Sequence, residues 1–313
     1  MPARLSDAAE LGRESLDQIY RFLDGTGDVV AALGLDLLAR HGYVIGTRGE
    51  GPHDNVLGQP LFALPLWVDT ATGERGRAES DVLLDVCESS LCGYLSVRAE
   101  DDYFDEGSGE PEAVMMLTTL FRIRHSALLA PLVSDARFWT HFEALWHAYG
   151  EAMLFEHSLH SDPTRSYDER DFDAVLVRSQ PLEIPGQAVL AIKESWHLSD
   201  NLAAMVRHLV KGTQLFDDLT DARADLRSGN YTLMVRRLGG LDGDETLSRG
   251  MLIACDEVVS ESAAELDKAV AAAGPLVCDE FLSWVEDRKR IMGRAPVRMK
   301  EAFFASVTAE SGS

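Results

Sequence analysis

The sequence predicts an all-α fold, and three observations carry that prediction. Apolar residues recur at three- and four-residue spacing through most of the chain, as in Leu16, Ile19 and Leu23, or Phe138, Phe142, Leu145, Tyr149 and Met153. No alternating apolar and polar segment of useful length interrupts them. Proline and glycine gather between the periodic segments, above all from 42 to 78, where Pro52, Pro60 and Pro65 fall. The 46% hydrophobic content of 313 residues suffices for a large core. No apolar run approaches the roughly 18 residues of a membrane span.

Ser6 or Asp7 offers an N-cap for an amphipathic helix over 6–24 that ends near Gly25, and an apolar helix follows over 28–41. The prolines make 42–78 a long connection with short helical turns. Helix resumes over 79–105 and 111–131. Asp135 then caps an aromatic-rich helix running to His160. Residues 162–173 form a polar break, and an apolar helix over 174–197 is interrupted by Pro181 and Pro185, whose missing amide hydrogens kink it beside Arg178. Asp200 caps the next helix and Gly229-Asn230 ends it. Two further helices, over 244–272 and 275–292, complete a single domain. It divides into N-terminal helices and a long loop (1–78), a helical core (79–292) and a tail (293–313).

The formal charge of −23 excludes a nucleic-acid partner, whose phosphates require Lys and Arg in excess. Cys87, Cys92, Cys255 and Cys278 fit neither a disulfide framework nor zinc-ligand spacing and read as reduced core residues. The N-terminal segment lacks the apolar stretch of a secretion signal, so a cytoplasmic protein is expected. His157 and His160 read as surface residues.

Two acidic clusters about 110 residues apart carry the chemistry: Asp101-Asp102-Tyr103-Phe104-Asp105-Glu106, and the run from Asp217 and Asp218 through Asp221 to Asp225. Residues four apart share a helix face, so Asp101 and Asp105 converge, as do Asp217, Asp221 and Asp225 over two turns. Like charges at that spacing destabilise a helix by a few tenths of a kcal/mol per pair. A bound hard cation removes the cost, because magnesium takes carboxylate oxygens together with waters and phosphates. Each cluster grows out of an apolar helix, which suits carboxylates at the rim of a cavity. Taken alone, the first also reads as a solvated helix end, and the second as acids salt-bridged to Arg223 and Arg227.

With these motifs the chain resembles the class I isoprenoid synthases, which include prenyl diphosphate synthases, squalene and phytoene synthases and terpene cyclases. Asp101, Asp102 and Asp105 match that superfamily's first DDxxD motif. Gln214, Asp217, Asp218, Asp221 and Asp225 match the pattern Q-x-x-D-D-x-x-D-x-x-x-D. Arg178-Ser179-Gln180-Pro181 lies 39 residues before Asp217, where prenyl synthases place a Lys-Thr pair that holds diphosphate. The resemblance covers about residues 80 to 240 and implies a helical bundle with a central active-site cavity. It makes the acids ligands for two or three magnesium ions. Arg178, Lys193 and Gln214 become diphosphate-binding residues, and Val97 and Tyr94, one and two turns before Asp101, become the pocket wall that limits chain length. It also implies a homodimer.

Two elongase features are missing. Gly107-Ser108-Gly109 stands where Arg-Arg-Gly would follow the first motif, and Gly46-Thr47-Arg48 is a poor counterpart of the segment that binds a second diphosphate. The resemblance thus implies first a magnesium-dependent terpene synthase ionising a C15 or C20 prenyl diphosphate. A prenyltransferase, chain-elongating or head-to-head, is the second reading, and a non-catalytic prenyl-diphosphate-binding subunit the third. The aromatics of 135–160 serve as bundle core or line the hydrocarbon pocket, where their faces attract a cation by about 0.5–2 kcal/mol each.

Overall fold

The computed structural model describes residues 3–43, 60–73, 80–106 and 110–301. Among them it contains helices and turns and no strand. The α-helices are α1 (Ala3–Asp24), α2 (Asp28–Arg40), α3 (Pro60–Ala71), α4 (Ser80–Glu106), α5 (Pro111–Leu129), α6 (Ala136–His160), α7 (Glu169–Val175), α8 (Ile184–Ile192), α9 (Ser199–Ser228), α10 (Leu233–Arg237), α11 (Asp244–Ala273) and α12 (Asp279–Met292). Tight 3₁₀ turns cover Leu176–Glu183, Trp196–Leu198, Gly240–Asp242 and Gly274–Leu276. Expectations for 44–59, for Gly46 to Arg48, for Gly107 to Gly109 and for the tail beyond 301 lie outside the described residues.

The chain forms two compact units, the first of residues 1–145, 181–202 and 275–280, the second of 146–180, 203–274 and 281–313. In the first, α4 packs along α5 and against α1, α3 and α8. Its core joins Leu16, Ile19 and Leu23 of α1 to Leu37 and Leu38 of α2, then to Cys87, Leu91, Cys92 and Leu95 of α4 and to Phe121 of α5. Burial of each such side chain stabilises by roughly 1.5–3 kcal/mol, so the core fixes the register of α4 and the depth at which Asp101 and Asp102 lie. All four cysteines are buried and free. Phe138 of α6 is buried, and Trp139 and Phe142 pack with it ring against ring.

The second unit is arranged around α9. A Cβ at Gly212 would stand 2.8 Å from the Ser262 carbonyl oxygen, so only glycine lets α9 and α11 meet backbone to backbone. Gly229, at φ +81°, turns the chain out of α9, and the Asn230 amide donates back to the Asp225 carbonyl at 2.8 Å, the expected glycine stop.

The structure departs from the sequence reading in four places. Part of the proline-rich stretch is α3, with Pro65 inside it. The polar break contains α7, because Asp168 accepts from the Arg170 and Asp171 amides and Asp171 reciprocates, forming a capping box. The segment 174–197 is not one kinked helix but the end of α7, a 3₁₀ stretch through Pro181 and then α8. The helix bearing the second motif begins at Ser199, with Asp200 in its first turn.

His125 of α5 is buried against Gly93, where Nδ1 donates to the Ser89 carbonyl at 2.8 Å and the Ser89 hydroxyl donates to the His125 carbonyl at 3.0 Å. Burial lowers its pKa to about 4. The unfolded chain takes up a proton near pH 6.5 and the native ring does not, so stability present above pH 6.5 falls as the pH drops toward 4. The loss amounts to roughly 3 kcal/mol. Urea denaturation from pH 8 to 4 is expected to show this component in the native chain and a shallower profile in His125→Gln.

Candidate functional site

Asp101 and Asp102 close α4 and are buried, at 6% and 4% exposure. This overturns the reading of a solvated helix end. The carboxylates meet polar partners of the same unit: Arg40 ion-pairs with Asp102, His41 Nε2 lies 3.1 Å from both Asp102 oxygens, and Arg98 reaches Asp101 at 3.2 Å and Asp102 at 3.5 Å. The Asp105 side chain lies outside the described part of the chain. One turn and two turns before Asp101, Val97 and Tyr94 are half-buried, and the Tyr94 ring stands edge-on to Tyr43 at 6.2 Å. Burial raises the Tyr94 pKa.

Lys193 follows α8 and is buried, donating at 2.8 Å to the Asp69 carbonyl and pairing with the Asp69 carboxylate at 2.5 Å. A buried ammonium with that partner joins the end of α8 to α3, so the structure shows it in a packing role.

The second motif occupies α9. Asp218 is buried, and Gln214 Nε2 donates to its Oδ1 at 2.6 Å. Burial raises the Asp218 pKa to about 6, against the Gln214 hydrogen bond and the Arg178 charge, which favour the carboxylate. Asp217 is accessible to solvent yet crowded by protein, and that crowding raises its pKa to about 6; Arg288 of α12 opposes the shift and Asp221 adds to it. Asp221 is exposed and Asp225 half-buried. Arg223, weighed from sequence as a partner for these acids, instead donates to Ser248 at 2.5 Å and approaches Asp244 at 3.8 Å.

Arg178 sits in the 3₁₀ stretch after α7, and its Nε pairs with the Glu156 carboxylate of α6 at 3.0 Å while its charge also stabilises ionised Asp218. The structure thus brings Arg178 to the second motif. It adds two residues that the sequence reading missed, Glu156 and Tyr167, and one that it placed on the surface, His160. Glu156 is buried; Tyr167 has its pKa raised by burial and by Asp218; His160 stacks on Tyr167 at 5.6 Å. His160 is not the surface residue expected, since burial and the neighbouring Arg178 and Arg236 hold its pKa near 3. The spacing of Glu156 and His160, one turn apart on α6, was the available signal.

Among the described residues no three His, Cys, Asp or Glu side chains converge closely enough to hold a metal by themselves. Magnesium commonly takes only one or two carboxylates and completes its shell with water and phosphate oxygens. The second motif fits such an ion: its donors are all oxygens, and Asp217 and Asp221 repel each other beside a single opposing guanidinium. In the first motif protein cations already neutralise Asp102.

No family model matches the sequence, and no curated protein does. Among solved structures, a polyprenyl synthase from Caulobacter crescentus, crystallised with calcium and isoprenyl diphosphate, is similar at a TM-score of 0.67 and 15% identity over 92% of this chain and 97% of that one. A polyprenyl synthase from Roseobacter denitrificans gives a TM-score of 0.57 and 13% identity over 91% and 99%. The chain shares the all-α fold of these polyprenyl synthases. No helix among the described residues is long and apolar enough to cross a membrane.

Magnesium is expected to raise the melting temperature of the native chain in a saturable manner, because a ligand held only by the folded state stabilises it by mass action. Asp217→Asn is expected to lose most of that rise. Differential scanning fluorimetry across a magnesium titration, with potassium at matched ionic strength as the control, measures it.

Proposed function

We propose that this chain is a divalent-cation-dependent enzyme that ionises an allylic prenyl diphosphate. The observation that carries the reading is the second motif on α9, where solvent-accessible Asp217 and buried Asp218 both have raised pKa values and Arg178 stands near Asp218. The fold likeness supports it, since one of the similar structures holds calcium and isoprenyl diphosphate. Asp217, Asp221 and Asp225 would hold magnesium in the second unit, and Asp101, Asp102 and Asp105 are the candidate metal ligands of the first. The ions would neutralise charge on the departing diphosphate. Arg178 donates to the diphosphate oxygens, preorganised by Glu156, and its fixed charge is worth more where water is excluded. Tyr94 and Val97 bound the hydrocarbon.

Within that class the leading reading is a terpene synthase acting on one C15 or C20 substrate, because the sequence lacks good counterparts of the segments that grip a second diphosphate. The fold likeness to polyprenyl synthases over 92% of the chain favours the second reading, a prenyltransferase joining two prenyl units. The cations that neutralise Asp102 favour the third, a non-catalytic prenyl-diphosphate-binding subunit.

Incubation with magnesium and geranyl, farnesyl or geranylgeranyl diphosphate, each with and without isopentenyl diphosphate, is expected to give a hydrocarbon or terpene alcohol from a single substrate. Asp217→Ala and Arg178→Ala are each expected to lower turnover by about a hundredfold or more, the usual cost of removing an electrostatic stabiliser. A longer prenyl alcohol formed only with isopentenyl diphosphate establishes the transferase, and no turnover in any arm moves the binding subunit to the front.

The same reading includes a homodimer formed through the outward face of α5. Met115, Met116 and Ile123 are 67%, 51% and 63% exposed there, and the exposed positions among them carry no charge. On a chain of net charge −23, an uncharged apolar face is where two copies approach with least repulsion. Size-exclusion chromatography with light scattering is expected to give twice the chain mass, and Met116→Glu with Ile123→Glu a helical monomer. A native monomer at micromolar concentration would overturn it.

A further inference from the structure

A cleft of about 480 Å³ opens in the second unit between the 3₁₀ stretch after α7, α9 and α11. Its floor is apolar, with Leu176, Val206 and Val210 buried. Its rim is basic: Arg207 and Lys211 rise from α9 and Lys268 from α11. Two acids accompany them. Asp173 accepts from Lys211 at 2.6 Å, and Glu265 lies 2.7 Å from both His208 Nδ1 and Lys268 Nζ. Burial opposes ionisation of Glu265, but these two hydrogen bonds together hold its carboxyl below the usual range. Arg207 is exposed and makes no ion pair among the described residues.

The wall therefore carries three Lys or Arg against two carboxylates, in a chain that has 29 Lys and Arg against 52 Asp and Glu. A basic rim over an apolar floor selects a ligand with the opposite arrangement, an anionic head on an apolar tail. A guanidinium fork with ammonium groups beside it matches phosphate oxygens better than a singly charged carboxylate. The lining has no Phe, Tyr or Trp on which a nucleobase could stack. The volume falls within the range of small-molecule sites, about 300–1,000 Å³. We propose that this cleft binds a phosphate ester of a hydrocarbon chain, its head at Arg207, Lys211 and Lys268 and its tail over Leu176, Val206 and Val210.

The site stands apart from the metal motif on the same helix. Lys211 precedes Asp217 by six residues, about 9 Å along the axis, and none of the motif acids lines the cleft. Binding here needs no metal.

That independence supplies the test, which stands whether or not the enzymatic reading does. Isothermal titration of the full chain in EDTA with octyl phosphate, below its micellar concentration, is expected to show one saturable site per chain. Octanoate and inorganic phosphate are each expected to bind about tenfold more weakly or worse. Arg207→Glu and Lys268→Glu change exposed side chains, so circular dichroism melts stay native-like while affinity falls about tenfold or more, and Arg207→Gln falls between. Asp217→Ala leaves affinity unchanged. Absence of saturable binding overturns the proposal, as does affinity indifferent to Arg207→Glu or lost in Asp217→Ala. Inorganic phosphate binding as tightly as octyl phosphate would mark an adventitious ion only, and octanoate doing so would overturn the phosphate head.

Discussion

An ionised carboxylate withdrawn from water costs several kcal/mol unless a cation or strong donors meet it, and two long helices of this chain each carry such carboxylates in their C-terminal halves. That end of a helix adds to the cost, because its unpaired carbonyls present partial negative charge to any acid in the last turns. Asp101 and Asp102 lie there in α4 and are nearly inaccessible. Arg40 at the end of α2 and Arg98 one turn back on α4 supply the countercharge, and the His41 ring lies against Asp102. The packing of α1 and α2 on α4 through Leu23, Leu37, Leu38 and Leu91 thus also delivers Arg40 to Asp102.

α9 meets the same constraint with less. Asp218 has Gln214 as a hydrogen-bond donor and Arg178 as a nearby charge, and Asp217 has Arg288; neither supply restores an ordinary carboxylic acid, so both groups stay near pKa 6. Arg178 is itself shared with Glu156. A cluster that its own protein leaves under-neutralised is the arrangement in which an external cation gains most.

The long periodic helices were legible in the sequence because each keeps one apolar stripe over many turns: the boundaries read for α2, α5, α6, α11 and the end of α9 at Gly229 differ from the structure by two residues or fewer. The elements that escaped are short or proline-bearing. α3 contains Pro65, which normally argues against helix, and its burial around Leu64, Trp67 and Val68 overrides that local signal. α7 depends on a reciprocal cap between Asp168 and Asp171 inside a segment read only as polar. At the site, spacing placed the acids correctly on helices. Their partners were not legible, because Arg40 is 62 residues from Asp102 and Glu156 is 22 from Arg178. Lys193 likewise has a partner that a lone lysine in an apolar helix gives no spacing signal for, the Asp69 carboxylate.

The asymmetry between the two clusters separates stability from chemistry. Replacing Asp102 removes the partner of Arg40, His41 and Arg98 together, so the loss is paid first in the folded state, as for any buried pair broken from one side. Replacing Asp217 relieves repulsion from Asp221 at a solvent-accessible position, so it spares or improves the fold while removing a proposed metal ligand. Equal losses of activity from the two substitutions would therefore have different causes. Only the second reads directly on metal binding, and the first requires a stability measurement beside it before any ligand role for Asp102 can be assigned.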